Sequence, residues 1–295
     1  MKNLPPNIAG ALLMMASMAA FTINDTFVKL VGQTLPLFQL LTLRAVLATA
    51  LLAIMAVWLG SFRLNMPRRD GWLVFWRCLA EVGAAYFFLS ALLAMPLANV
   101  TAILQVLPLT VTLGAALFFR EAVGWRRMVA ICAGFVGMLL IVRPGTDGFT
   151  VHTVYALAAV MCVTLRDLVT RKMSPQVSSM TVTVITSATI LMFAGLASLG
   201  IEWQPVSTRD ALYIVASAVF IIGGYSFSVM VMRVGEISAI APFRYSSLLW
   251  ALALGWLVFG DWPDPVTLLG AAIVVASGVF TLYRERKLKA RRRSV

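Results

Sequence analysis

The chain has 295 residues, of which 61% are hydrophobic and only 12% charged, with a mean hydropathy of +0.91. A soluble globule of this size needs far more polar surface, so the composition excludes one. The formal charge of +12 raises nucleic acid as a partner, but its distribution along the chain has another explanation.

The N-terminus imitates a secretion signal. Lys2 precedes an apolar run, and "SMA" at 17–19 resembles a cleavage site. The pattern nevertheless runs on through Val31, and nine more apolar segments follow, so it is read as an uncleaved first span. No charge falls between Lys2 and Asp25, or within 82–119, 176–201 and 211–232. About 20 apolar residues are enough to cross a bilayer core as a helix. Breaks carrying Pro, Gly or charge divide the chain into ten spans, at roughly 8–31, 37–59, 72–92, 97–119, 127–142, 153–171, 178–199, 211–232, 237–259 and 266–283. The expected fold is an all-α polytopic membrane protein with ten transmembrane helices. Cys78, Cys132 and Cys162 all lie in apolar runs and form no paired framework, so they read as reduced packing residues. His152 reads as an interfacial residue.

The spans repeat. "VLPLTVTLGAALFFRE" at 106–121 parallels "SSLLWALALGWLVFGD" at 246–261, each ending on an acid, Glu121 or Asp261. Nine residues beyond each acid, Ala130 or Gly270 opens the next span. Asp25 with Lys29, and Asp167 with Arg171, repeat a four-residue spacing. Two five-span halves are expected, 8–142 and 153–283, joined near "RPGTDG" at 143–148 and followed by a basic tail at 284–295. Five is odd, so the second half is inverted relative to the first. Inverted repeats around a midplane site are a transporter architecture.

Basic residues orient the chain. With the N-terminus in the cytoplasm, 17 of the 24 lysines and arginines fall on that side, including Lys2, Arg63, Arg233 and the seven of "RERKLKARRR". Only Arg143 and Arg209 fall outside. The net charge is thus mostly topology, and the tail is expected to meet anionic lipid head groups rather than nucleic acid.

Ionisable groups inside spans are costly and tend to pair or to line cavities. Asp25 with Lys29, and Arg77 with Glu81, stand four apart on one helix face. Arg44 and Arg244 have no such neighbour. Arg44 with Glu81, and Arg244 with Asp25 or Asp167, are the expected pairings. The candidate substrate-binding set is Asn24, Asp25, Arg44, Glu81, Gln105, Asp167, Arg244 and Tyr245, with Trp76, Tyr86, Tyr225 and Trp250 as aromatic walls. The same charges also fit purely structural interhelical pairs. Arg244, about seven residues or roughly 10 Å from a span end, is also within snorkelling reach. Five intramembrane cations (Lys29, Arg44, Arg77, Arg166, Arg244) face three acids (Asp25, Glu81, Asp167), which suits a neutral, zwitterionic or anionic substrate.

The sequence contains no phosphate-binding loop, metal-ligand cluster or nucleophile elbow, so no catalytic residue, metal or cofactor is expected. Ten spans in two halves with closing acids resemble the drug/metabolite transporter superfamily, in its EamA branch. The resemblance implies an inner-membrane carrier of a small molecule. "ND" at 24–25 with Lys29, Arg44, "GFVG" at 134–137 and the "APFRY" of 241–245 look like the bacterial branch of riboflavin and S-adenosylmethionine uptake carriers. The positive surplus disfavours the sulfonium cation, so riboflavin is placed first. Export of amino acids or other metabolites, and a non-transporting membrane sensor or scaffold, are the other readings.

Overall fold

A computed structural model describes residues 5–58, 66–120, 124–145, 149–174, 176–231 and 240–293. Lys2, Arg63, Glu121, Arg233 and positions 146–148 of the joint between halves lie outside them, as do the tail side chains beyond Arg284. Among the described residues there is no strand. The helices are α1 (Pro6–Val31), α2 (Leu37–Trp58), α3 (Arg68–Ala94), α4 (Leu97–Leu104), α5 (Leu107–Phe119), α6 (Trp125–Val142), α7 (Val151–Arg171), α8 (Ser179–Ser198), α9 (Thr208–Val231), α10 (Ser246–Leu254) and α11 (Pro265–Arg293). Among the described residues, eight segments are long and apolar enough to cross a membrane, with α4 and α5 counted as one, and α6 adds the shorter apolar stretch Met128–Val142. Threonines inside these helices return their hydroxyls to the preceding turn, as Thr22 does to the Met18 carbonyl at 2.9 Å and Thr164 to Val160 at 2.7 Å. Those threonine hydroxyls are then not left bare where water is scarce.

Spans four and nine are both interrupted. Between α4 and α5 the bonding tightens, with the Gln105 and Val106 amides reaching back three residues to Ala102 and Ile103, each at 3.2 Å. Pro108 has no amide hydrogen with which to continue the ladder. In span nine a 3-10 turn over Ala241–Tyr245, containing Pro242, leads into α10. A π turn over Gly255–Phe259 closes on Gly260, whose φ of +71° suits glycine. At the other extreme, α11 does not end with its apolar span but carries its helical backbone through the basic tail to Arg293.

The chain folds into two compact units. The first comprises Met1–Thr26, Met95–Thr153 and Val219–Val295. Its principal contact is α6 against α11. At their crossing, a methyl group added to Gly270 would lie 2.6 Å from the Gly137 carbonyl oxygen, and one on Gly137 would lie 2.8 Å from that of Gly270. Small residues let two backbones meet, which is how helices associate where lipid removes the hydrophobic drive. Leu13, Met14, Val231 and Ile240 form an apolar cluster, with Met18 and Phe227 packed on it. Asp264 caps α11 by accepting the Val266 and Thr267 amides at 3.0 and 3.1 Å, and it also receives Arg143. Desolvation raises the Asp264 carboxyl, but Thr267 and Arg143 outweigh it and hold it down at about 2.

The second unit comprises Phe27–Ala94 and Val154–Ala218. Here α8 packs on α2 and α3. Val74, Cys78 and Val182 are buried at the α3–α8 contact. Gln39, fully buried, holds the Gln204 backbone with both ends of its amide, at 2.7 and 2.9 Å. Each unit therefore combines helices from the two halves of the sequence.

Two stability outcomes follow. Gly270→Ala should cost about 1–3 kcal/mol, because a backbone oxygen occupies the space of its methyl. Gly223→Ala in α9, where an added methyl meets nothing within 4 Å, should gain about 0.5–1 kcal/mol. Thermal melts of both variants in one detergent check the contrast, and equal shifts would refute the close approach. The lowered Asp264 group stabilises the fold above its unfolded value of about 3.9 and loses that contribution as pH falls through about 2. The melting deficit of Asp264→Asn should accordingly stay constant from pH 8 to pH 5.

Candidate functional site

In the second unit, helix spacing puts Arg77 and Glu81 one turn apart on α3 and places Arg166, Asp167 and Thr170 together on α7. The guanidinium of Arg166 joins the two helices. It lies 3.3 Å from the Glu81 carboxylate and 2.8 Å from that of Asp167. These groups are neither open nor sealed, with side-chain exposures of 26% for Arg166, 18% for Glu81 and 36% for Asp167. Arg77 does not pair with Glu81 as its spacing suggested. Its guanidinium donates to Thr170 at 3.1 Å and to Thr186 on α8. Glu81 receives Arg166 in place of the expected Arg44. The cluster holds two guanidiniums and two carboxylates and is balanced.

Half-buried rings lie further along α3 and α7 in the same unit. Tyr86, five residues or about 7.5 Å along α3 from Glu81, stacks on Phe38 at 5.9 Å and 10°. Tyr155 on α7 closes on Tyr86 at 6.1 Å and on Phe87 at 5.5 Å. Phe193 adds an edge to Phe38 at 6.1 Å. Lys29 is buried and donates to the Leu92 carbonyl at 3.1 Å. Arg44 is half-buried on α2.

In the first unit, the two interrupted spans meet. Gln105, 8% exposed, donates its amide to the Tyr245 carbonyl at 3.2 Å and to the Ser247 hydroxyl at 3.0 Å. Ser247 in turn donates to the Arg244 carbonyl at 3.1 Å. Gln105 and Tyr245 are 140 residues apart, as are the repeat-matched Glu121 and Asp261, so equivalent positions touch each other. Tyr245 is 5% exposed, and a methyl on Gly278 of α11 would overlap its hydroxyl, so its ring packs against that glycine. The Arg244 side chain is exposed. Asn24, 2% exposed, donates to the half-buried Asp25 at 2.8 Å. The Asn24 amide oxygen and the Tyr245 hydroxyl are buried with no hydrogen-bond partner among the described residues.

Six of the eight candidate residues thus fall into three groups: Glu81 with Asp167 through Arg166, Gln105 with Tyr245, and Asn24 with Asp25. Of the four aromatics singled out from sequence, Tyr86 joins the ring cluster. Trp76, Tyr225 and Trp250 are exposed. Sequence reasoning missed Phe38, Phe87, Tyr155 and Phe193, because a ring in an apolar span carries no local mark of its neighbours. It listed Arg166 only as a charge. The adjacency of Arg166 to Asp167 was the available signal, but Glu81 lies 85 positions away.

Comparison with known proteins agrees with this architecture. The model of the EamA-like transporter family matches twice, over residues 8–143 and 152–283. A riboflavin transporter of Vibrio cholerae is 29% identical over 238 residues, covering 80% of each chain. An S-adenosylmethionine uptake transporter of Rickettsia prowazekii is 23% identical over 278 residues, covering 92% of this chain and 91% of its own. A solved crystal structure superposes with a TM-score of 0.63 at 17% identity, covering 95% of this chain and 98% of that one, which shows the same fold. With the family model matched across both halves and helices to span the membrane in each, the chain belongs to the EamA-like transporter family.

Proposed function

We propose that this transporter takes up riboflavin across the bacterial inner membrane. The observation that carries the reading is the Glu81–Arg166–Asp167–Arg77 cluster, two cations against two carboxylates, borne by the same helices α3 and α7 that carry the half-buried rings of Tyr86 and Tyr155, with Phe38 stacked on Tyr86. A flat, neutral heterocycle with polar edges suits stacking rings beside hydrogen-bonding charges. A sulfonium cation would need a surplus of carboxylate, and both carboxylates here already face Arg166. The riboflavin transporter among the relatives supports the same choice. The organisation that goes with it is repeat one over 8–142, repeat two over 153–283 and a basic tail over 284–295. The bias of lysine and arginine favours both termini in the cytoplasm. Asn24, Asp25, Arg44 and Arg244 are further substrate contacts in this proposal. Gln105 has a different part, tying the two helix breaks together, with Tyr245 supplying the carbonyl it holds.

A flavin-auxotrophic host expressing the chain should grow at low riboflavin and accumulate the labelled vitamin. Absence of both would overturn the substrate assignment, and resistance to toxic amino-acid analogues without flavin rescue would favour export. Arg166→Ala, inserted normally, should lower uptake by roughly tenfold or more, about 1.4 kcal/mol or above, because two carboxylates lose their shared cation.

Gln105→Leu removes two neutral hydrogen bonds of about 1 kcal/mol each. It should lower the maximal uptake rate several-fold and leave the half-saturating concentration unchanged. A raised half-saturating concentration at full rate would instead make Gln105 a direct substrate ligand.

A further inference from the structure

We infer that the α6–α11 pair carries a binding site for an anionic phospholipid, separate from the transport site. The two helices touch at Gly137 and Gly270. Away from that crossing they leave an open groove of about 500 Å³. Ala130, Ala133, Ala276 and Ser277 line its narrow part, while Val129, Ile273 and Phe280 supply apolar walls. Ser277 already donates to the Val274 carbonyl, so the groove offers an acyl chain no unsatisfied group. The walls are open to their surroundings, with Val129 58% and Phe280 42% exposed.

One end of the groove is charged. Trp125 and Arg126 open α6 there, with the Arg126 guanidinium 5.3 Å over the Trp125 ring. The helices are antiparallel, so the Phe280 end of α11 lies at the same end. Four residues beyond Phe280 begins "RERKLKARRR", seven basic residues and one acid continuing the same helix. An apolar channel that ends in arginine, an interfacial tryptophan and a strongly basic helix is complementary to acyl chains under a negative phosphate. A zwitterionic head group satisfies only the apolar part. A second copy of this chain would bring the same positive end against itself.

The test uses the full-length protein in detergent, with dioleoyl phosphatidylglycerol or dioleoyl phosphatidylcholine titrated in. Bound lipid is read by native mass spectrometry and stability by thermal melting. Phosphatidylglycerol should bind more tightly and raise the melting temperature more. Arg126→Gln should reduce that preference by about fivefold, the worth of one basic residue near a lipid phosphate. Ala133→Trp, placed at an exposed position so that the fold tolerates it, should fill the groove and abolish retention of either lipid there. Leu212→Trp on exposed α9 surface serves as control and should change neither. Equal retention of the two lipids by the unaltered protein, or full retention by Ala133→Trp, would overturn the site. A dimer that Ala133→Trp dissolves would overturn it in favour of a self-interface.

Discussion

A backbone carbonyl released by a broken helix in hydrocarbon must find another donor, since water is not there to supply one. Spans four and nine are both interrupted near a proline, Pro108 or Pro242, and they meet beside those breaks. There the Gln105 amide donates to the Tyr245 carbonyl and to the Ser247 hydroxyl. The buried, neutral, two-donor side chain is the chemistry required, because a charge at that position would carry a desolvation cost with no opposite charge to offset it. The same accounting explains the threonines that bond to their own helix and the Asp264 cap where α11 begins.

Close backbone contact is the second organising device. At Gly137 and Gly270, and again where Gly134 faces Ser277, packing is set by the absence of side chains. Tyr245 depends on another missing side chain, at Gly278. One helix, α11, therefore anchors the first unit at its crossing with α6 and provides the surface on which the broken ninth span rests.

The second unit concentrates charge and aromatic surface. Its ion pairs join α3 to α7, and its amide clamp at Gln39 fixes the start of α2 to the segment before α9. Arg166 stands between two acids, so neither carboxylate nor guanidinium is left uncompensated in a poorly hydrated place. Arg77 takes the hydroxyls of Thr170 and Thr186, which accept from two of its N–H groups without adding charge. The same two helices, α3 and α7, carry that cluster and the rings of Tyr86 and Tyr155.

Much of the fold was legible in the primary structure, because a membrane demands long uncharged runs and the two five-span halves kept matching acids and small residues at matching intervals. The presence and type of the helices, the positions of most boundaries and the family resemblance rest on those local and periodic signals. Which residues meet was not legible. Glu81 chose Arg166 over the nearer Arg77 because helix–helix packing, not spacing along one helix, brought that guanidinium within 3.3 Å. Gln105 and Tyr245, both read from sequence as substrate contacts, are joined by a bond that only the folded chain makes. Arg244, which has no oppositely charged neighbour one turn away in its span, stands exposed at the 3-10 turn. Hydropathy and charge are properties of a segment and survive in one dimension. Pairing depends on the angles and separations at which segments cross, and those are set by tertiary packing alone.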